Sequence, residues 1–194
     1  MPQDLSAVDW PVRTERLSIR PCTIDDLEAT WRFRSAPGVG EWLTQAHDDR
    51  AEYEERFRDP ERMALILVVE REGEIIGDQM LVIEDAWAQV EVADRARAVQ
   101  AEIGWIIAPD HSGRGYATEA AEGLLGICFD GLGLRRVAAQ CFADNVASWR
   151  LMERIGMRRE EYAVRDALHR SRGWLDAVTY AILADEWRAR QPVD

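Results

Sequence analysis

The segment EIGWIIAPDHSGRGYATEA, residues 102–120, passes from an apolar run through a glycine-bearing loop into a helix-patterned stretch. Residues 102–108 have the character of a buried strand, apolar beyond Glu102, and Pro109 stops it. Beyond the loop, Ala117, Ala120, Ala121, Leu124, Leu125 and Cys128 fall at i, i+3, i+4, i+7, i+8 and i+11, which places them on one face of a helix. Gly113 and Gly115 in the connection allow positive φ and close approach to the backbone. The start of a helix leaves about four N–H groups outside the ladder and a fractional positive charge, so a strand, a glycine loop and a helix in this order suit a phosphate or pyrophosphate. The spacing alone fits ordinary turn chemistry as well. A dinucleotide fingerprint fits less well, because GRGYAT lacks the third glycine and sits mid-chain. A P-loop is excluded, since the chain contains no lysine. Spacing by itself therefore gives an anion site and no reaction.

Working outward toward the N-terminus, residues 17–20 alternate as a short strand ended by Pro21, and Thr23 precedes a helix expected over residues 24–34. Residues 37–40 break it, and residues 48–58 form a charged helix with Asp59-Pro60 as its stop. Residues 63–71 and 75–84 are two strands joined across residues 72–74, short enough for a hairpin. Residues 85–100 fit either a long loop or a hairpin extension. Toward the C-terminus, Gly131 and Gly133 end the alanine-striped helix, residues 135–142 form a strand, and residues 148–155 a helix capped by Gly156. Residues 157–164 and 174–183 are two more strands with HRSRG as the turn. Strands interleaved with helices predict an α/β or α+β sheet of six or seven strands. With no repeat and no linker, residues 1–194 are expected to form a single domain.

Composition narrows the function classes. The chain has 194 residues, 47% of them hydrophobic, enough for a core that needs neither disulfides nor a metal. Three cysteines, Cys22, Cys128 and Cys141, lie far apart in apolar segments, and His47, His111 and His169 show no ligand spacing, so no metal is expected. A net charge of −12 opposes general affinity for DNA, RNA or anionic lipid. The longest apolar run, residues 63–69, is too short for a membrane span, and the N-terminus lacks a basic, apolar leader; a cytoplasmic protein is expected.

Four segments in order, TERLSIRPCTIDDLEATWRFR (14–34), EIGWIIAPDHSGRGYATEA (102–120), DNVASWRLMERIGMRREE (144–161) and DAVTYAILADEW (176–187), resemble the GNAT superfamily of acetyl-CoA-dependent N-acetyltransferases, within it the ribosomal-protein N-terminal acetyltransferase branch. The family's pyrophosphate loop, (Gln/Arg)-x-x-Gly-x-(Gly/Ala), maps to residues 112–117; Gly115 and Ala117 match, and Ser112 departs from Gln or Arg. The resemblance implies a mostly antiparallel mixed sheet that splays between residues 102–108 and 135–142, where pantetheine pairs with the free strand edge. It implies cofactor contacts from Trp105, Ile106 and Ile107, which would polarise the thioester carbonyl, and from Ser112, Gly113, Arg114, Gly115, Tyr116, Ala117 and Thr118.

The remaining chemistry is two proton transfers. Glu102 is the candidate base for the attacking amine, the alternative being that it pairs with an arginine. Glu119, in the first helical turn, fits the helix dipole better than catalysis. Many members place a tyrosine seven residues after the asparagine of the downstream motif, where this chain has Met152. In the ribosomal branch a serine lies three residues after it, so Asn145 would hold pantetheine and Ser148 would face the sulfur, unless Ser148 is simply a helix N-cap. Trp31, Trp42 and Trp87 lie in segments that line the family's acceptor cleft. The implied activity is acetyl transfer to a primary amine, a small molecule or a protein N-terminus. Asp26, Glu41, Glu84 and Asp85 favour a cationic acceptor. A noncatalytic CoA-binding module is the alternative, and the resemblance allows a monomer or a homodimer.

Overall fold

The structure, a computed structural model, describes residues 4–190. Its contacts divide the chain into two units: residues up to Leu81 together with Gly104–Leu124, and Val82–Ile103 together with residues from Leu125 onward. In the first unit β1 (Val12–Arg13), β2 (Ser18–Pro21), β3 (Ile66–Arg71) and β4 (Glu74–Glu84) pair antiparallel in sequence order. In the second, β5 (Gln100–Ile107) pairs parallel with β6 (Arg136–Phe142), and β8 (Gly173–Leu183) lies antiparallel between β6 and β7 (Arg158–His169). β4 and β5 each continue through both units, so the eight strands follow the order β1-β2-β3-β4-β5-β6-β8-β7. The result is the mixed, mostly antiparallel sheet that was expected, with one strand more. The extra strand is β1, whose two residues are too few to alternate; Thr14 N–H donates to the Leu17 carbonyl at 3.0 Å to close the turn into β2.

The β3–β4 hairpin turns through Glu72 and Gly73 at φ 53° and 83°. Two successive left-handed residues make a tight turn whose twist matches the flanking strands. Before it, Asp59-Pro60 ends α2 (Arg50–Phe57) and also starts α3 (Pro60–Met63): Asp59 accepts from the Glu61 N–H at 3.0 Å, and proline occupies the first helical position. Met63, expected in a strand, therefore lies in a helix. At the other expected helix, Ile24–Asp26 is a tight 3₁₀ turn ahead of α1 (Leu27–Arg34). Asp26 accepts from the Thr23 N–H at 2.7 Å and so folds back on the segment that enters the helix.

α4 (Tyr116–Gly126) buries its stripe, with Ala121, Leu124, Leu125 and, just beyond the helix, Cys128 fully buried. It widens at Ile127–Gly131, where Leu132 N–H reaches five residues back to the Ile127 carbonyl at 2.9 Å. Residues 85–99 are a loop with one 3₁₀ segment, Val90–Ala96, closed at its base by Ala86 N–H to the Ala96 carbonyl at 2.7 Å, and Gln100 already belongs to β5. β7 outruns its expected end at residue 164, because the register slips between Ala163 and Ala167 and breaks the alternation. Asp176 secures the slip, accepting from Arg165 N–H at 2.8 Å and Tyr162 O–H at 2.6 Å. Among the described residues no helix is long and apolar enough to cross a membrane.

Under α1 lies a buried polar network of the first unit. Arg34 donates two bonds to Asp78, at 2.6 and 2.7 Å, and sits 3.3 Å from His47 Nε2. The His47 ring stands edge-on to Tyr53 at 4.8 Å, and the Tyr53 hydroxyl donates to Thr30 at 2.9 Å. Nearby, Arg20 donates two 2.8 Å bonds to Asp26, which is 5% exposed. Asp26 is thus neutralised inside the fold and is not available to attract a cationic acceptor.

Candidate active site

In the first unit the end of β5 lies against β4 so closely that a Cβ on Gly77 would stand 2.3 Å from the Ile106 carbonyl. Ala108 N–H donates to the Ile76 carbonyl at 2.8 Å and fixes the exit of the strand, on which Trp105, Ile106 and Ile107 are half-buried. Pro109–His111 then makes a 3₁₀ turn, and Ser112, Gly113, Arg114 and Gly115 stand exposed in succession. Gly113 has φ 73° and Gly115 φ 82°, backbone that residues with a Cβ adopt only under strain. The first bond of α4 runs from Glu119 N–H to the Gly115 carbonyl at 3.1 Å, so the N–H groups of Tyr116 and Ala117 fall outside the ladder. Thr118 follows in the same turn. Tyr116 is buried with Leu17, Val69, Ile76 and Ala120, which pins the helix start to the sheet. The expected loop of residues 112–118 is therefore one local structure, with an open backbone and a rooted base.

That base holds a contact missing from the sequence interpretation. Arg16, in the β1–β2 turn, donates to Glu119 from its own N–H and from Nε, both at 2.7 Å, and to the Arg114 carbonyl at 3.1 Å. Its guanidinium lies 4.7 Å from the Tyr116 ring centroid. Glu119 also accepts from the Thr14 hydroxyl at 2.5 Å. Burial raises the Glu119 pKa, but the bonds from Thr14 and Arg16 outweigh it and hold the carboxylate below its usual range. Arg16 belongs to the quoted TERL segment, and that is the only signal by which the sequence could have marked it.

In the second unit, β5 pairs with β6 over three residues, ending at Glu102 opposite Ala138, while β6 continues to Phe142 paired with β8. Glu102 stands at that last rung. Burial pushes its carboxyl pKa up and the charge of Glu84 adds to the effect. Among the described residues no arginine forms an ion pair with Glu102.

α5 (Val146–Arg154) begins two residues earlier than expected because Asn145, not Ser148, is its cap: Asn145 Oδ1 accepts the Ser148 N–H at 3.3 Å. The Ser148 hydroxyl is consequently free of capping; hydrogen bonding from it and from the Trp149 N–H, which also donates to the Asn145 carbonyl at 3.3 Å, lowers the Cys141 thiol pKa. Burial nevertheless keeps the Cys141 thiol pKa above its usual value. Met152, in the position of the family's tyrosine, is 1% exposed and packs in the core. The three tryptophans separate. Trp31 is half-buried between the Tyr53 ring at 5.2 Å and the Arg50 guanidinium at 5.3 Å, Trp42 is half-buried at the end of the 3₁₀ turn Val39–Trp42, and Trp87 is 92% exposed in the second unit's loop. Trp31 is thus a packing residue as well as a candidate contact, and Trp87 is unpacked.

A family model described as an acetyltransferase (GNAT) domain matches residues 16–158. An uncharacterized N-acetyltransferase of Bacillus subtilis, YnaD, is 27% identical over 179 residues, covering 91% of this chain and 98% of its own length. Among solved structures, an acetyltransferase of the GNAT family from Bacillus anthracis superposes with a TM-score of 0.75 at 29% identity, covering 90% of this chain and 99% of its own. Mycobacterium smegmatis RimJ, solved in complex with CoA-disulfide, shares the fold at a TM-score of 0.71 and 24% identity, with 88% of this chain and 83% of its own covered. With a family model matched over most of its length and a mixed sheet of the same fold, this chain belongs to the GNAT family of acetyltransferases.

Proposed function

We propose that the chain is a single N-acetyltransferase domain moving acetyl from acetyl-CoA to a primary amine by direct attack. The observation that carries this is the exposed run Ser112–Gly115, with two positive-φ glycines immediately ahead of α4. Backbone N–H groups there suit a diphosphate, and no side-chain contact from residue 112 is needed. N–H groups of the Trp105–Ile107 stretch suit a thioester carbonyl, whose oxygen gains charge as the amine adds. As the new N–C bond forms, Glu102 takes the amine proton, directly or through one water. As the C–S bond breaks, the Ser148 hydroxyl turns from Cys141 to the departing sulfur. Asn145, the cap of α5, holds the pantetheine. Trp31, Trp42 and Trp87 are the proposed acceptor contacts, and a net charge of −12 favours a cationic acceptor, a protein N-terminus or a small-molecule amine.

The test is an amine panel with acetyl-CoA, following release of free thiol. Acetyl-CoA at about 100 times its dissociation constant should add ~2.7 kcal/mol of stability. For a chain of this size that raises the melting temperature by roughly 5–10 °C, with no rise from NAD or ATP. A rise with NAD alone would remove the assignment. A rise with acetyl-CoA and no thiol release from any amine would favour the noncatalytic CoA-binding alternative, which the burial of Met152 in the tyrosine's position keeps in view. Ser148→Ala should lower kcat about 10- to 100-fold, the worth of one hydrogen bond to a charged sulfur, with little change in the KM for acetyl-CoA. Equal kcat would take Ser148 out of the mechanism.

A further inference from the structure

Arg16 lies outside every residue assigned to the site, yet its side chain meets the glycine turn at three points: the Arg114 carbonyl, the Tyr116 ring and the Glu119 carboxylate. We propose that Arg16 is a positioning residue for the anion-binding turn, holding the Arg114–Gly115 peptide so that the Gly115 N–H faces the ligand, with Glu119 as the anchor for its guanidinium. The inference rests on the proposal that this turn takes the diphosphate of acetyl-CoA.

In a trans peptide the carbonyl and the following N–H point in opposite directions in one plane. Drawing the Arg114 carbonyl onto the Arg16 guanidinium at 3.1 Å therefore aims the Gly115 N–H away from Arg16. The Arg114–Gly115 peptide rotates about Arg114 ψ and Gly115 φ, and Gly115, at φ 82°, carries no Cβ to oppose that rotation, so one side of the flip has a low barrier. Without a tether, the turn would present a carbonyl oxygen or an N–H to an anion with comparable ease. A bond from a cationic donor fixes the choice.

The guanidinium is itself fixed. Nε donates to Glu119 Oε2 at 2.7 Å and a terminal nitrogen lies 2.7 Å from the same oxygen, so one carboxylate oxygen sits in the guanidinium fork, a seat that lysine does not provide. The Thr14 hydroxyl completes the carboxylate, and that hydroxyl in turn accepts the Leu17 N–H at 3.0 Å. The β1–β2 turn is thereby tied to α4's first turn, with Gly123 allowing the close fit: a Cβ there would stand 2.8 Å from Ile19 Cδ1. Because Arg16 and Glu119 neutralise each other, the contribution is orientation of a dipole more than added positive charge.

The test compares CoA with S-acetylpantetheine, which lacks the diphosphate. Titration calorimetry gives CoA affinity and steady-state kinetics gives the KM for S-acetylpantetheine, for wild type, Arg16→Gln, Arg16→Lys, Glu119→Gln and the Arg16→Gln/Glu119→Gln double variant. Each single change should weaken CoA about 10- to 100-fold, Arg16→Lys included, because lysine keeps the charge and loses the fork. The double variant should lose no more than one single variant does. The KM for S-acetylpantetheine should not move. CoA affinity unchanged in Arg16→Gln, full rescue by Arg16→Lys, tighter CoA binding in Glu119→Gln, or equal losses toward both ligands would each overturn the proposal. If wild type shows no preference for CoA over S-acetylpantetheine, the diphosphate assignment of the turn fails instead. A clear wild-type preference that survives in Arg16→Gln removes only the positioning role.

Discussion

Asp78→Asn is expected to destabilise the protein by about 3–5 kcal/mol and to lower its melting temperature by roughly 6–20 °C. The substitution keeps the shape of the side chain and removes its charge. Asp78 is 2% exposed at its side chain and Arg34 17%, so the guanidinium would be left inside the first unit with neither a counter-charge nor access to bulk water. Its other neighbour offers no relief. Burial, and then the Arg34 charge, push the His47 pKa down to about 4, so the ring is neutral and accepts from Arg34 without balancing it. Burial opposes the Arg34 charge as well, but Asp78 outweighs it and holds the guanidinium's pKa above its usual value. Urea unfolding checks the expectation. The double variant Arg34→Met/Asp78→Leu should be clearly more stable than Asp78→Asn, because removing both charges leaves no buried charge unpaired. A loss below about 1 kcal/mol in Asp78→Asn would mean that water reaches the pair. The consequence for function is positional: Arg34 ends α1, the helix that carries Trp31, and the pair fixes that end to β4.

What the sequence disclosed and what it withheld follow one physical division. The stripe from Ala117 to Cys128, the turn at Glu72-Gly73 and the glycines at 113 and 115 are local: propensity and period express them within a dozen residues, and each stands where it was expected. Asp59-Pro60 was equally visible, but stop and start signals overlap there, and only the structure distinguishes ending α2 from beginning α3 as well. Asn145 and Ser148 are both good caps three residues apart, and the choice depended on where β6 released the chain. Long-range ion pairs were beyond reach. Arg34 and Asp78 are separated by 44 positions and Arg16 and Glu119 by 103, in a chain with 24 basic and 36 acidic side chains. No periodicity selects among so many partners. For that reason the glycine turn was legible and its tether was not, and Asp26 looked like an acceptor-side charge when Arg20 neutralises it.

Glu102→Gln is expected to lower kcat for amine acetylation by about 10²–10⁴-fold while leaving CoA affinity unchanged, the loss typical of a displaced general base. Burial raises the carboxyl pKa first and the charge of Glu84 raises it further, both moving it toward the working pH, where a base is most effective. The sign of the pH dependence follows. The carboxylate must be ionised to accept a proton, so kcat/KM should rise with pH through the raised Glu102 pKa, and this limb should vanish in Glu102→Gln. Glu84→Gln should leave the limb in place but shift it to lower pH, since one of the two causes is gone. Stability separates catalysis from a structural role. A carboxyl whose folded pKa lies above its unfolded value contributes stability at low pH and loses it as pH rises through the folded value. Ionised Glu102 is therefore a cost to the fold at neutral pH, and Glu102→Gln should be as stable as wild type or more so. A protein that becomes more stable and less active on losing one carboxylate had kept it for chemistry. Retained kcat with the same acidic limb, or a marked drop in melting temperature, would assign Glu102 to the sheet instead.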